Sequence, residues 1–271
     1  MPLEDFIITT YCLVDQTMEV IGEFLGQDTD SGIWRYFREH WLDWFPQLGS
    51  RSNFAKHAAN LWHVKQYIQN ALVKDLQGNH DQLYMADGFP IAVCHLSRAK
   101  NCELFSDSVS YGYCASKSER YYGFKGNLVI NSTGLIVGMT ATAAQIDERV
   151  SLWDILGHAK NLLIADKGFI GDAYQQEVYA HTLINLQTPR RKNMKKQRKQ
   201  ENERWIIRTR RLIETVIGQL SDRFHIEKTK ARDLWHFTNR ITRKVLAHTV
   251  GVAINKQQGC PTLQFERLGT S

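Results

Sequence analysis

Two short apolar runs in this chain each stop at an aspartate followed by Gly, or by Lys and Gly: LYMADGFPIAV at Asp87 and NLLIADKGFIG at Asp166. Runs this short and this apolar fit buried strands, because a strand covered on both faces needs no polar alternation. Where such strands end, backbone pairing stops and polar side chains can converge. A third acid, Glu214 in RRLIETVIGQL, lies in a helical pattern whose Ile213, Val216, Ile217, Leu220 and Phe224 share one face. Successive helix residues are rotated by about 100°, so Glu214 falls at the edge of that buried stripe. Carboxylates brought within a few ångströms repel one another unless a cation stands between them. Mg²⁺ or Mn²⁺ suits such a set, being hard and oxygen-liganded. Two such ions about 4 Å apart can serve both the attacking and the leaving oxygen of an in-line displacement. Arg211, three residues before Glu214, is placed to steady it or to meet a phosphate.

The rest of the chain supplies a sheet for those strands. Residues up to about 80 read as helical. TMEVIGEFL carries Met18, Ile21, Phe24 and Leu25 on one face, with Gly26 as a C-cap. SGIWRYFREHWLDWF spaces Trp34, Phe37, Trp41, Trp44 and Phe45 as one helical stripe ending at Pro46, a stripe expected to form a core. GSRSNFAKHAANLWHVKQYIQNAL opens on capping Ser and Asn. Three short helices with tight turns fit a helix-turn-helix-like head, with Lys56, His57 and Lys65 as candidate DNA contacts. From about residue 81, QLYMAD and PIAVCHL read as short strand pieces around Asp87, and YYGFKGNLVI and LIVGMTATAA as a hairpin across NSTG. VSLWDILGHA (helix), NLLIAD (strand), AYQQEVYAHT (helix) and LINLQTP (strand) then alternate, before long helices around Glu214 and over ARDLWHFTNRITRKVLAHTVGVAINK. The expected fold is α/β: a mixed sheet with helices on both faces, preceded by a small all-helical domain. The expected boundaries are a head over 1–80, a catalytic domain over 81–260 and a tail over 261–271.

The net charge of +6 is local: residues 190–211 carry eleven Lys and Arg against two acids, a segment of +9 that leaves the remainder at −3. Arg190, Arg191, Lys192, Lys195, Lys196, Arg198, Lys199 and, further on, Arg211 are therefore candidates for gripping a DNA backbone beside the acids. Five cysteines without a C-x-x-C pair, and ten scattered histidines, argue against a disulfide framework or a zinc site. No apolar stretch approaches the roughly 20 residues of a membrane span, and the N-terminus lacks the features of a secretory signal. A cytoplasmic protein is expected.

DGFPIAVC, YYGFKGNLVINSTGLIVGMTATAAQIDER, LLIADKGFIG and RRLIETVIGQL, in that order, resemble a DDE-type transposase of a bacterial insertion sequence, closest to the group numbered nine-eighty-two. The likeness covers nearly the whole chain. It implies a ribonuclease-H-like catalytic core with Asp87, Asp166 and Glu214 as the catalytic and metal-binding triad. It also implies hydrolytic nicking at the element's terminal inverted repeats, then attack of the freed 3′-hydroxyl on target DNA by a homodimer or larger assembly. Both steps are phosphoryl transfers that rest on positioning and charge stabilisation. The wider superfamily often carries a Tyr and an Arg at fixed distances before the catalytic Glu; Ile207 stands at the Tyr-like position here. Asp147, in AAQIDER, is a reserve acid expected to cap the next helix. Two other readings share these residues: a nuclease of the same fold without strand transfer, and a domesticated DNA-binding regulator without catalysis.

Overall fold

The computed structural model describes residues 16–115, 117–190, 194 and 198–268. These form two compact units, one of residues 73–219 and one of residues 16–72 with 220–268. Arg191, Lys192, Lys195 and Lys196 lie outside the described residues.

The first unit is built on a six-stranded mixed sheet. Its strands are β1 (Leu83–Cys94), β2 (Ser110–Cys114), β3 (Glu119–Asn131), β4 (Ile136–Ala143), β5 (Leu162–Ala165) and β6 (Asn185–Gln187). The order is β2-β3-β1-β5-β6, with β4 also paired to β3. β1, β3 and β4 form an antiparallel meander, and β5 and β6 add to β1 in parallel. This is the ribonuclease-H-like arrangement implied by the four motifs. Of the helices, α5 (Glu148–Leu156) packs on β3 and β4, and α6 (Asp172–Thr182) packs on β6. Helix α7 (Gln200–Asp222) turns Ile206, Ile213 and Val216 inward.

The hairpin turn forms at NSTG because Asn131 Oδ1 accepts from the backbone N–H groups of Thr133 and Leu135, each at 3.0 Å. That Asx geometry replaces the strand ladder locally. Sequence reading missed β2, whose SYGYC pairs with the early part of β3. It also divided one strand into two. β1 runs unbroken through Asp87 and Pro90, because β3 pairs along its whole length, Tyr84 with Asn131 through to Cys94 with Tyr122. The parallel pairing with β5 stops at Ala86 opposite Ala165. Beyond that point β1 lacks a β5 neighbour, so a proline without an N–H is tolerated. The strand end sensed at Asp87 is the end of one ladder, not of the strand.

The second unit is helical. It contains residues 16–24 (α1), α2 (Asp30–His40), α3 (Arg51–Asn60), α8 (Leu234–Gln257) and most of α4 (Trp62–Asp75). Thr29, Ser50 and Asp233 cap α2, α3 and α8 through side-chain oxygens. Met18, Ile33, Phe37 and Phe54 form a core, with Trp34, Tyr36, Phe45 and Leu48 against it. The expected aromatic stripe is only half realised. α2 ends at His40, six residues before Pro46, and Phe45 folds back edge-on to Phe37 at 5.4 Å. Trp41 and Trp44 are left exposed. Lys65, offered as a DNA contact, is wholly buried. Its Nζ lies 2.7 Å from Glu19 and donates to Ala58 O and Asn239 Oδ1.

Lys65 belongs to a buried ionic network invisible to pattern reading. Arg243 reaches Glu23 at 2.5 Å, Asp30 at 2.6 Å and Glu19 at 3.4 Å, while Lys244 reaches Glu23 at 2.7 Å. All six side chains are buried. Buried charges persist only when paired and hydrogen-bonded, and here three acids answer three bases.

Candidate active site

Asp87 and Asp166 are brought together by the parallel β1–β5 pairing. Each is the residue immediately after the last paired couple, Ala86 and Ala165. Two neighbouring parallel strands thus deliver two carboxylates to the same edge. Glu214 arrives on α7, and all three acids meet one side chain, Arg210. Its Nη2 lies 2.9 Å from Asp87 Oδ2 and 3.3 Å from Glu214 Oε1, and its Nη1 lies 2.9 Å from Asp166 Oδ1. Arg210 is one turn before Glu214 on the same helix, so both point the same way. The arginine expected beside Glu214 was Arg211. It is exposed instead, because one residue of helix turns a side chain through about 100°.

A fourth carboxylate, missed in the sequence, closes the group. Glu148 opens α5 next to Asp147, which caps that helix by accepting from the Arg149 N–H at 2.8 Å. Glu148 Oε1 lies 3.2 Å from where a Cβ on Gly88 would stand, and its Oε2 lies 2.6 Å from the same point on Gly168. The glycines that follow Asp87 and Asp166 therefore leave room for this carboxylate. The D-G and D-K-G signatures carried that information, but nothing local named the acid that needed the space. Lys125 Nζ, donating to Ile146 O at 3.1 Å, stands 3.6 Å from Glu148 and offsets its charge.

The electrostatics follow from crowding. Burial pushes the Asp87 carboxyl above its ordinary range, against the pull of Arg210, and the neighbouring Asp166 pushes the same way. Burial likewise raises Glu148, which Lys125 opposes and Asp87 and Asp166 reinforce. Burial works against the Arg210 charge, yet Asp87, Asp166 and Glu214 together hold its pKa above the ordinary arginine value. Asp87 is the most enclosed acid of the triad, with 15% of its side chain exposed, while Glu214 at 55% forms the open side.

The donor set is hard oxygen throughout and converges on one cationic group, which is the chemistry a divalent ion requires. One oxygen of each acid is engaged by the guanidinium. Among the described residues no three Asp, Glu, His or Cys side chains are grouped closely enough to hold a metal ion as they stand. Asp87, Asp166 and Glu214 are the oxygen donors that could hold such an ion. Of the basic candidates, Arg198 is engaged by the protein itself. It pairs with Glu203 at 3.3 Å, donates to Thr188 O at 3.2 Å and also binds Gln187 Oε1. The Arg190 N–H donates to Glu203 Oε1 at 2.8 Å. Lys199 and Arg211 are exposed.

A mixed sheet of this order, with two acids just past the end of its β1–β5 parallel ladder and a third on a later long helix, defines a ribonuclease-H-like protein. Residues 77–234 match the model of the transposase DDE domain, and the chain belongs to that family. No curated protein and no solved structure matches it. Membership makes it an enzyme acting on DNA, in a family that generally uses divalent metal ions. Among the described residues no helix is long and apolar enough to cross a membrane.

Proposed function

We propose that this protein binds the terminal inverted repeats of an insertion sequence and catalyses DNA strand cleavage followed by strand transfer. Asp87, Asp166 and Glu214 are its catalytic and metal-binding residues. The observation that carries this reading is the convergence of those three acids, from β1, the end of β5 and α7, on the single cationic group of Arg210. Two Mg²⁺ or Mn²⁺ ions, when bound, supply Lewis-acid activation of the nucleophile and stabilisation of the leaving oxygen.

The chain's own residues do the positioning. Asp87 stands in β1 and Asp166 directly follows its parallel neighbour β5, so the sheet holds the two close to one another. Glu148 and Lys125 brace the buried side of the group, and Glu214 leaves its open side accessible to a phosphodiester. In the first step water attacks the scissile phosphorus and the 3′-oxygen leaves, taking a proton. In the second, that 3′-hydroxyl attacks a target phosphodiester, so one bond forms as one breaks and no external energy source is needed. Lys199 and Arg211, with the basic residues of the 190–199 run, grip the backbone. Residues 1–80 serve as the recognition head, where Lys56 and His57 are exposed. The enzyme works in the cytoplasm as a homodimer or larger assembly that pairs two element ends.

The test uses a supercoiled plasmid carrying both element ends, with a second plasmid as target. Wild-type protein with Mg²⁺ should give nicked ends and joined product. Asp87→Asn, Asp166→Asn and Glu214→Gln should each lose both products while retaining end binding in a gel-shift assay. Wild-type cleavage by any of the three variants removes that residue from the site. Cleavage without joined product would leave a nuclease.

A further inference from the structure

Arg210 stands where the three acids of the proposed metal centre meet, and its guanidinium already engages one oxygen of each. We propose that Arg210 is an internal counter-ion of the metal-free site, which a divalent ion must displace before the acids can close around it. The proposal rests on the reading of Asp87, Asp166 and Glu214 as metal ligands.

Three observations carry it. First, the guanidinium contacts one oxygen from every member of the triad, at 2.9, 2.9 and 3.3 Å. An ion of the Mg²⁺ kind needs oxygens at about 2.0–2.1 Å in near-octahedral order. The two occupants therefore want the same oxygens at different spacings, and both cannot be satisfied at once. Second, the site is crowded with negative charge. Glu148 lies against Gly88 and Gly168 behind the triad, with Lys125 as its own partner. Arg210 is then the cation that lets the triad share its space without a metal. Third, Arg210 is tethered but not locked. Its fork tips are bonded, yet its Nε is buried without a hydrogen-bond partner among the described residues, and it rides on the same helix as the most exposed triad acid. A guanidinium held only through its tips can leave by rotating about its own side-chain bonds. The helix and the sheet need not move.

Competition of this kind is reciprocal: what Arg210 gains from the acids, the metal must match before it binds. Couplings between ligands typically run from roughly 5-fold to 150-fold, and an intramolecular competitor of this geometry is expected to weaken metal binding by on the order of ten-fold. Among acid-rich metal sites, this one should bind its ion weakly until the arginine is removed.

The experiment measures Mn²⁺ binding to the full chain in the absence of DNA, from the loss of the free-ion EPR signal. It compares wild type, Arg210→Gln and Arg210→Lys, each with and without Asp166→Asn. Arg210→Gln should bind Mn²⁺ about ten-fold more tightly than wild type. Arg210→Lys, which keeps the charge but not the fork, should fall between. Asp166→Asn should remove the high-affinity binding in every background. Equal or weaker binding by Arg210→Gln, with Asp166→Asn still abolishing it, overturns the counter-ion and leaves the metal site standing. Indifference of all three proteins to Asp166→Asn overturns the metal site itself, and the counter-ion with it. Should Arg210→Gln fail to fold, the wild-type protein carries the test through the NMR signal of the Arg210 Nε–H. Saturating Mg²⁺ should shift that signal, and an unmoved signal refutes displacement.

Discussion

Lowering the pH should loosen the helical unit through one residue, His248. It lies on α8, wholly buried, with its ring edge-on to Phe265 at 5.0 Å and against Phe224 at 6.2 Å. Burial penalises the imidazolium and takes the His248 pKa down to about 3. In the unfolded chain it returns to about 6.5. Between those values the unfolded state holds a proton that the folded state refuses, so stability falls as pH falls. It is complete above about pH 6.5, and the loss ends only near the folded value of about 3. Each pH unit inside the window is about 1.4 kcal/mol, so going from pH 7.5 to pH 5 removes about 2 kcal/mol on account of His248 alone. Keeping above pH 5 avoids the range where Asp28 and Asp30 begin to titrate, since their depressed values add acid sensitivity only below the ordinary carboxylate pKa. The assay is urea unfolding at pH 7.5, 6.5, 5.5 and 5.0, followed by tryptophan fluorescence, for wild type and His248→Gln. Any constant cost of the substitution cancels when each protein is compared with itself across pH. Wild type should lose about 2 kcal/mol more than the variant over that span. Parallel profiles for the two proteins would refute the buried neutral histidine.

Arg243→Met should destabilise the helical unit by about 3–5 kcal/mol, because it strands Glu19, Glu23 and Asp30 without their shared partner; a thermal or urea unfolding series reads this, and a loss below about 1 kcal/mol contradicts it. Asp87→Asn should let the Glu148 carboxyl fall back toward its ordinary range, since one of the charges crowding it disappears while its burial and Lys125 stay. Carboxyl-carbon NMR of Glu148 across pH detects that shift, and an unchanged titration refutes the crowding. Replacing Arg191, Lys192, Lys195 and Lys196 with Gln should flatten the salt dependence of duplex binding by roughly 0.9 in log–log slope for each phosphate no longer neutralised. An unchanged slope makes that run a solvated loop.

Local chemistry was enough to read much of this protein. Alternating apolar runs, turn residues and helix caps placed the NSTG hairpin, β5, α5, α6, the Glu214 helix and α8, because those features depend on near neighbours. Asp87 and Asp166 were legible for the same reason: each ends an apolar run where a ladder stops. What lay beyond reach were relations set by distant segments. The unbroken course of β1 through Pro90 depends on β3, a strand well downstream in the chain. The split of the aromatic stripe depends on Phe45 turning back to Phe37 while Trp41 and Trp44 face outward.

The charged residues separate the two kinds of knowledge most sharply. Sequence alone determined that acids end two apolar runs, and that a +9 segment precedes Glu214. It could not say which arginine the acids would meet, since Arg210 and Arg211 differ by a single helix step. It gave no sign that Glu148 fills the space left by two glycines, or that Lys65, Arg243 and Lys244 are buried partners of Glu19, Glu23 and Asp30. A charge in a sequence is a solvated face by default. Only the fold brings opposite charges from remote segments into hydrogen-bonding range and removes the water, and that proximity turns such residues into a site or a core.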